Sequence, residues 1–386
     1  MPKFNFDTLI NRRHTDSVKW RQPEDVLPMW VADTDFLAPP AVIAALRQRV
    51  DQGIFGYHYE SPTLRQTVVE WVAKRYHWHI EPDWIIFPPD VVRGMNLAAQ
   101  AVAEPGQGVL LQSPVYGPFF DIPRNGNFIM QDAPLQQNED GRYELDMDKM
   151  AEVANSDTKA FLLCNPQNPT GRVFTKTELE TLADFCLERG ITILADEIHA
   201  DLIYSEVQHI PIASLHPDIA HNTITFIAPS KTFNVAGLKA SVGIIPNPEL
   251  RDRLKQAQRG IVPPMNLLGM VAMEAAYGQG EEWLDELLAY LQANRDFLLD
   301  FIAHDGLPGV RMARPEGTFL AWLDFRSTPW ADAPAKHIHE KAKVLLNEGA
   351  WFGEEGRGFA RLNFGCPRVT LEEGLERIQR ALTAQS

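Results

Sequence analysis

The sequence predicts an α/β protein: a large domain on a mostly parallel sheet flanked by helices, joined to a smaller α+β domain. Three observations lead there. Short apolar runs of strand length alternate with helix-period segments through the middle of the chain, and each run ends in a polar loop. After about residue 280 the pattern changes to a long helix, two strand-like pieces and a closing helix. A chain of 386 residues also exceeds one ordinary core. The expected layout is an arm over residues 1–45 contributing to the small domain, a large domain over 46–280 and a small domain over 281–386.

The elements follow in order. Val91, Val92, Met95, Ala98, Ala99 and Val102 recur at helical spacing behind Phe-Pro-Pro-Asp, so the first turn there offers free N–H groups to an anion. Residues 108–112 form an apolar run ending in Ser-Pro-Val-Tyr-Gly-Pro, and 159–164 a second ending in Asn-Pro-Gln-Asn-Pro-Thr-Gly. Thr175 and Glu178 then spell a capping box. Leu179, Leu182, Ala183, Cys186 and Leu187 repeat at three and four, and Gly190 stops the helix. Strands follow at 191–195, running into Asp196, and at 223–228, running toward Lys231. Beyond lie a helix from Glu281 toward Ala303, strand-like pieces at 318–325 and 358–364, and a helix from Leu371. In such sheets the loops at the carboxyl ends of parallel strands converge on one crevice.

Composition narrows the function. With 36 Lys and Arg against 51 Asp and Glu, the net charge is −15. Binding a nucleic-acid backbone needs clustered cations, which this chain does not display. Its three cysteines, Cys164, Cys186 and Cys366, are too scattered for a metal knuckle and read as buried thiols of a reducing compartment. His77 with His79 and His337 with His339 have alternate spacing but no third ligand nearby, so no metal site is expected. The start, Met-Pro-Lys-Phe-Asn-Phe-Asp, is unlike a secretion signal, and no apolar run reaches about 18 residues. The expectation is a cytoplasmic protein with no membrane contact.

Lys231, Asp196 and Asn168 stand at the ends of three of the apolar runs, and together they suit pyridoxal phosphate. A lysine amine forms the aldehyde's Schiff base, a carboxylate keeps the pyridine nitrogen protonated, and an amide donates to the phenolic oxygen. Taken singly, each has a plain structural reading: a solvated loop lysine, a helix cap, a turn.

Asn165-Pro-Gln-Asn-Pro-Thr-Gly171, Asp196-Glu-Ile-His199, Ser230-Lys231-Thr-Phe-Asn234 and Arg361-Leu-Asn-Phe-Gly-Cys-Pro-Arg368 resemble the fold-type I pyridoxal-phosphate enzymes of the class I/II aminotransferase superfamily. Met29-Trp-Val-Ala-Asp-Thr-Asp-Phe36, Phe55-Gly-Tyr57, Ser113-Pro-Val-Tyr116 and Gly353-Glu-Glu-Gly-Arg-Gly-Phe359 resemble, more narrowly, its MalY/PatB-type cystathionine β-lyases. The resemblance covers nearly the whole chain and implies a seven-stranded-type sheet of the PLP-dependent transferase kind. It implies Lys231 as the Schiff-base lysine and base at Cα, Asp196 beside the ring nitrogen, Asn168 at the phenolic oxygen with His199 or Tyr204 as second partner, and Tyr116 stacked on the ring. Phosphate contacts would come from the N–H groups of Val91 and Val92, from Ser230 and from Lys239. Tyr57 would reach a neighbour's cofactor across a homodimer interface. Arg361 would grip the substrate α-carboxylate, and Ala32 with Asp33 would form a substrate-side strip. Plain alternatives are a core tyrosine for Tyr116, an exposed loop tyrosine for Tyr57 and a surface ion pair for Arg361. The chain departs from the family's usual residues at Asp90, where a small residue is common, at Ala228, where aminotransferases place a hydroxyl, and at Thr34.

The reaction implied is β-elimination on cystathionine and related S-substituted cysteines, giving a thiol, pyruvate and ammonia. An aminotransferase would use the same motifs, and a regulatory protein retaining the cofactor is a further reading. A nicotinamide dehydrogenase lacks its glycine fingerprint here.

Overall fold

The computed structural model describes residues 3–384, so Met1 and Pro2 of the start read above lie outside the described residues. At its centre is a seven-stranded sheet. From edge to edge the strands are Ile85–Ile86, Val242–Ile244, Thr223–Ile227, Thr192–Asp196, Thr158–Cys164, Gly108–Leu111 and Ile129–Asp132. Val242–Ile244 runs antiparallel to both of its neighbours, and the remaining pairings are parallel. The four strands read from the sequence therefore deliver their carboxyl ends to one edge, with Cys164 opposite Asp196 and Asp196 opposite Phe226.

Strand periodicity sends alternate side chains to opposite layers. Ala160, Leu162, Cys164 and Leu194 pack with Val91, Met95 and Ala98 of helix Val91–Val102, while Phe161, Leu163, Ile193 and Ala195 pack with Leu179, Leu182 and Cys186 of helix Lys176–Arg189. The capping box is formed: Thr175 Oγ1 accepts from the Glu178 N–H at 3.3 Å, and Glu178 Oε2 accepts from the Thr175 N–H at 2.7 Å. Gly190 closes the helix at a φ of 63°, a left-handed conformation that glycine adopts without Cβ strain.

Beyond Gly280 the chain enters helix Glu281–Ala303 and a three-stranded antiparallel sheet ordered Leu320–Asp324, Phe359–Asn363, Asn347–Glu348. The N-terminal segment joins this part of the molecule, because Leu27–Pro28 pairs in parallel with Val344–Leu345. Helix Pro40–Asp51, however, packs on helix Leu267–Gln279, and the break expected after residue 45 falls inside it. The closing helix begins at Arg368, three residues before the expected Leu371. Strands Ile85–Ile86, Ile129–Asp132 and Val242–Ile244 have no counterpart in the sequence reading, since two to four residues carry too little periodicity to mark a strand. No helix among the described residues is long and apolar enough to cross a membrane.

Helix Val91–Val102 lies close against strand Thr223–Ile227, and Gly94 sits at the contact: a Cβ there would come within 2.6 Å of the Phe226 ring. Gly94→Ala is expected to destabilise the protein by about 1–3 kcal/mol from overpacking, despite alanine's better helix propensity. Urea unfolding of both proteins measures it, and an unchanged or higher midpoint would contradict the packing described.

Candidate active site

Asp196 ends its strand with its carboxylate on the layer of Leu194 and Cys164, the same side as helix Val91–Val102. It is buried, and its Oδ1 accepts from the Ile198 N–H at 3.0 Å. The next strand passes through Ala228 into the short helix Pro229–Thr232, which carries Lys231. Lys231 Nζ donates to the Ala32 carbonyl at 2.7 Å, so the N-terminal strip closes over the amine. Both groups line one cavity of about 670 Å³. Burial raises the Asp196 carboxyl to about 7. Burial, reinforced by the positive charge of Arg361, lowers the Lys231 amine to about 8.

Asn168, His199 and Tyr116 line the same cavity. Asn168 Oδ1 accepts from Arg361 Nη1 at 2.9 Å, which fixes the amide and leaves its NH₂ free to donate elsewhere. His199 is 2% exposed, its Nδ1 has no partner, and burial together with the charges of Lys231 and Arg361 pushes it well below the usual imidazole range. It is therefore neutral, with ring hydrogen-bonding capacity left over. The Tyr116 ring meets Trp351 edge to face at 5.5 Å, and burial raises its hydroxyl pKa.

Arg361 comes from strand Phe359–Asn363, between Trp322 and Asn347 in register. Its Nη2 donates to the Trp30 carbonyl at 2.8 Å and to Asn347 Oδ1 at 2.7 Å, while Nε has no partner. The guanidinium lies 4.9 Å over the Phe352 ring, and burial lowers its pKa to about 10. It is 3% exposed, and among the described residues its guanidinium bonds only neutral acceptors. A buried cation held by neutral acceptors, with a spare N–H, is a place for an anion. The surface ion pair is excluded by its burial.

Val91, Val92, Ser230 and Lys239 are also in the lining of the cavity. Asp90 caps the helix there, its Oδ1 accepting from the Arg93 N–H at 2.9 Å.

Four expected residues lie outside the lining: Arg361, which adjoins it through Asn168, and three others. Tyr204 does not line the cavity: its hydroxyl donates to the Thr318 carbonyl at 2.6 Å and the Arg295 guanidinium lies 4.4 Å over its ring, so it is a core group. The Asp33 carboxylate is drawn away to Arg12 at 2.9 Å and Lys19 at 3.8 Å, and Ala32 alone of that strip reaches the cavity. Tyr57 is fully exposed and lies outside this chain's own cavity.

Other positioning groups carry no signal beyond their residue type. Asn234, at a φ of 57°, accepts from the Thr34 N–H at 3.2 Å and donates to the carbonyls of Thr34 and Phe36 at 2.9 and 2.8 Å. Asn363 donates to the carbonyls of Val31 and Asp33, both at 2.6 Å. Behind Lys231, the buried Asp201 accepts from Trp71 Nε1 at 3.1 Å, Tyr76 Oη at 2.6 Å and Thr232 Oγ1 at 2.9 Å, tying the lysine's helix to helix Leu64–Tyr76.

An amine, a carboxylate, an amide and a helix N-terminus lining one cavity, with the Arg361 guanidinium bonded to the Asn168 of that lining, fit pyridoxal phosphate and an amino-acid carboxylate. An amine of pKa about 8 is half neutral at pH 8, against about 0.4% for an ordinary lysine. Covalent capture of added pyridoxal phosphate by cofactor-free protein should therefore quicken with pH and level off above about 8. Stopped-flow visible absorbance follows it, and a rate still climbing toward pH 10 would show a solvated amine.

The family model described as "Aminotransferase class I and II" matches residues 24–378. Cystathionine beta-lyase PatB of Bacillus subtilis is 41% identical, over 98% of this chain and 100% of that protein. Among solved structures, cystalysin from Treponema denticola, which contains a pyridoxal 5′-phosphate cofactor, superposes with a TM-score of 0.95 at 34% identity, covering 99% of this chain and 100% of that one. A pyridoxal-phosphate-bound putative aminotransferase from Clostridium difficile 630 also gives 0.95, at 38% identity over 98% and 100%.

Proposed function

We propose that this chain, which belongs to the class I and II aminotransferase family, is a pyridoxal-phosphate-dependent carbon–sulfur β-lyase acting on L-cystathionine and related S-substituted cysteines. The products are a thiol, pyruvate and ammonia, with one water consumed. The observation that carries this reading is the pairing of a buried lysine amine and a buried carboxylate in one cavity, beside a buried guanidinium with no carboxylate of its own. The choice of elimination rests on relatives that bear the name cystathionine β-lyase.

Bound there, pyridoxal phosphate supplies an aldehyde for amine exchange and a cationic ring that withdraws electrons from the substrate's Cα. Lys231 Nζ, neutral near pH 8, takes the proton from Cα. Asp196 holds the proton on the ring nitrogen, and its carboxyl ionises more readily once a cation faces it. Asn168 donates to the phenolic oxygen, with neutral His199 beside it. Tyr116 covers the ring and keeps water from that face. Val91 and Val92 N–H groups, Ser230 and Lys239 hold the phosphate. Arg361 orients the substrate carboxylate, its fork aimed by Asn168, Asn347 and the Trp30 carbonyl. The exposed Tyr57 reaches the cofactor of a partner subunit in a homodimer, and the protein works in the cytoplasm. Transamination is the second reading, favoured by the family itself and by the putative aminotransferase structure; it begins with the same proton removal.

Holoenzyme given L-cystathionine without any keto acid should release pyruvate and thiol in equal amounts, and turnover that requires a keto-acid acceptor would establish transamination instead. Lys231→Ala should lose the visible absorbance of the attached cofactor and about 10²–10⁴-fold or more of pyruvate formation; normal turnover in that variant would remove the lysine from the mechanism. Arg361→Ala should raise KM for the amino acid about 10–100-fold, the loss of a charge-assisted contact. An unchanged KM would place the carboxylate elsewhere.

A further inference from the structure

Where helix Val91–Val102 begins, the cavity lining contains a carboxylate among the donors that an anion needs. Asp90, Arg93 and Lys239 all line it, beside Val91 and Val92 at the start of helix Val91–Val102. Asp90 Oδ1 accepts from the Arg93 N–H at 2.9 Å. Its Oδ2 holds the Arg93 guanidinium and lies 3.4 Å from Lys239 Nζ. The Asp90 side chain is 22% exposed, whereas those of Arg93 and Lys239 are 58% and 56% exposed, so the carboxylate is the inner member of the trio. His199 Nδ1, buried and unpartnered, marks the same cavity as one that takes a ligand.

The three side chains carry two positive charges and one negative, +1 in all, where a phosphate ester brings nearly −2 at neutral pH. Resting on the reading of a phosphate-bearing cofactor, we propose that Asp90 is a built-in competitor for that phosphate. It engages Lys239, which would hold the phosphate, and Arg93 beside it, and it repels the dianion itself, which makes the cofactor exchangeable. Its capping role and its charge are separable, because asparagine and serine cap a helix about as well as aspartate does. Neutralising Asp90 therefore frees Arg93 and Lys239 while leaving the helix start intact. Like charges a few ångströms apart at a partly exposed site justify an effect of about ten-fold on binding.

Asp90→Asn and Asp90→Ser test this, with Tm recorded for each to confirm folding. Cofactor-free full-length protein is titrated with pyridoxal phosphate, with pyridoxal, and with inorganic phosphate as competitor. Loss of pyridoxal phosphate from the holoenzyme is followed by its visible absorbance. The expected result is a Kd for pyridoxal phosphate about ten-fold lower in both variants, slower loss from the holoenzyme, tighter inhibition by phosphate and unchanged affinity for pyridoxal. Equal or weaker binding of pyridoxal phosphate by both folded variants overturns the proposal, as does equal tightening of pyridoxal. Failure of the wild-type protein to bind pyridoxal phosphate at all would instead overturn the underlying reading of the cavity.

Discussion

Everything in the centre of this molecule turns on the Lys231 amine and the Asp196 carboxyl sharing one buried cavity. In water their ordinary pKa values, 10.5 and 3.8, leave both groups fully charged at neutrality. Burial moves them to about 8 and about 7, so each can gain or lose a proton close to physiological pH. That convergence depends on desolvation, which depends in turn on the N-terminal strip over the amine and on the packed layers to either side of the strands.

The groups that hold this arrangement are mostly neutral amides. Asn234 and Asn363 bind the backbone of the strip 31–36, and Asn168 and Asn347 accept from Arg361. Amides satisfy buried carbonyls and guanidinium N–H groups without adding charge, so the guanidinium stays uncompensated and available to an anion. Asp201 is the exception. Its carboxylate is spent on three donors, one of them the hydroxyl next to Lys231, and it serves as an anchor. In a chain with a net charge of −15, Lys231, Lys239 and Arg93 are the cations of the cavity lining, and Arg361 adjoins it through Asn168.

Much of this is legible in the amino-acid sequence alone. The strand-length runs before Ser113, Asn165, Asp196 and Lys231 sit in one sheet, and the helix between Thr175 and Gly190 has the cap and stop its residues spell. Lys231, Asp196, Asn168, Tyr116, His199, Ser230, Lys239, Val91 and Val92 meet in one cavity, as parallel strand ends require. Tyr204 and Asp33 do not reach it. A tyrosine in a motif says nothing about which carbonyl its hydroxyl will find, and Thr318 lies 114 residues away. Asp33 has Arg12 and Lys19 as nearby competitors, and nothing local shows that they win.

Sequence by itself determined the class of fold, the order of its main strands and helices, and the residue types at the strand ends, because periodicity, capping and turn chemistry act over a few neighbouring residues. Tertiary structure alone decided which polar side chains share the cavity, how far burial shifts their pKa values, and that Arg361 lacks a counter-ion. Those depend on contacts spanning up to 332 residues, such as that from Asn363 to the Val31 carbonyl, and on water excluded by layers that no single segment contains.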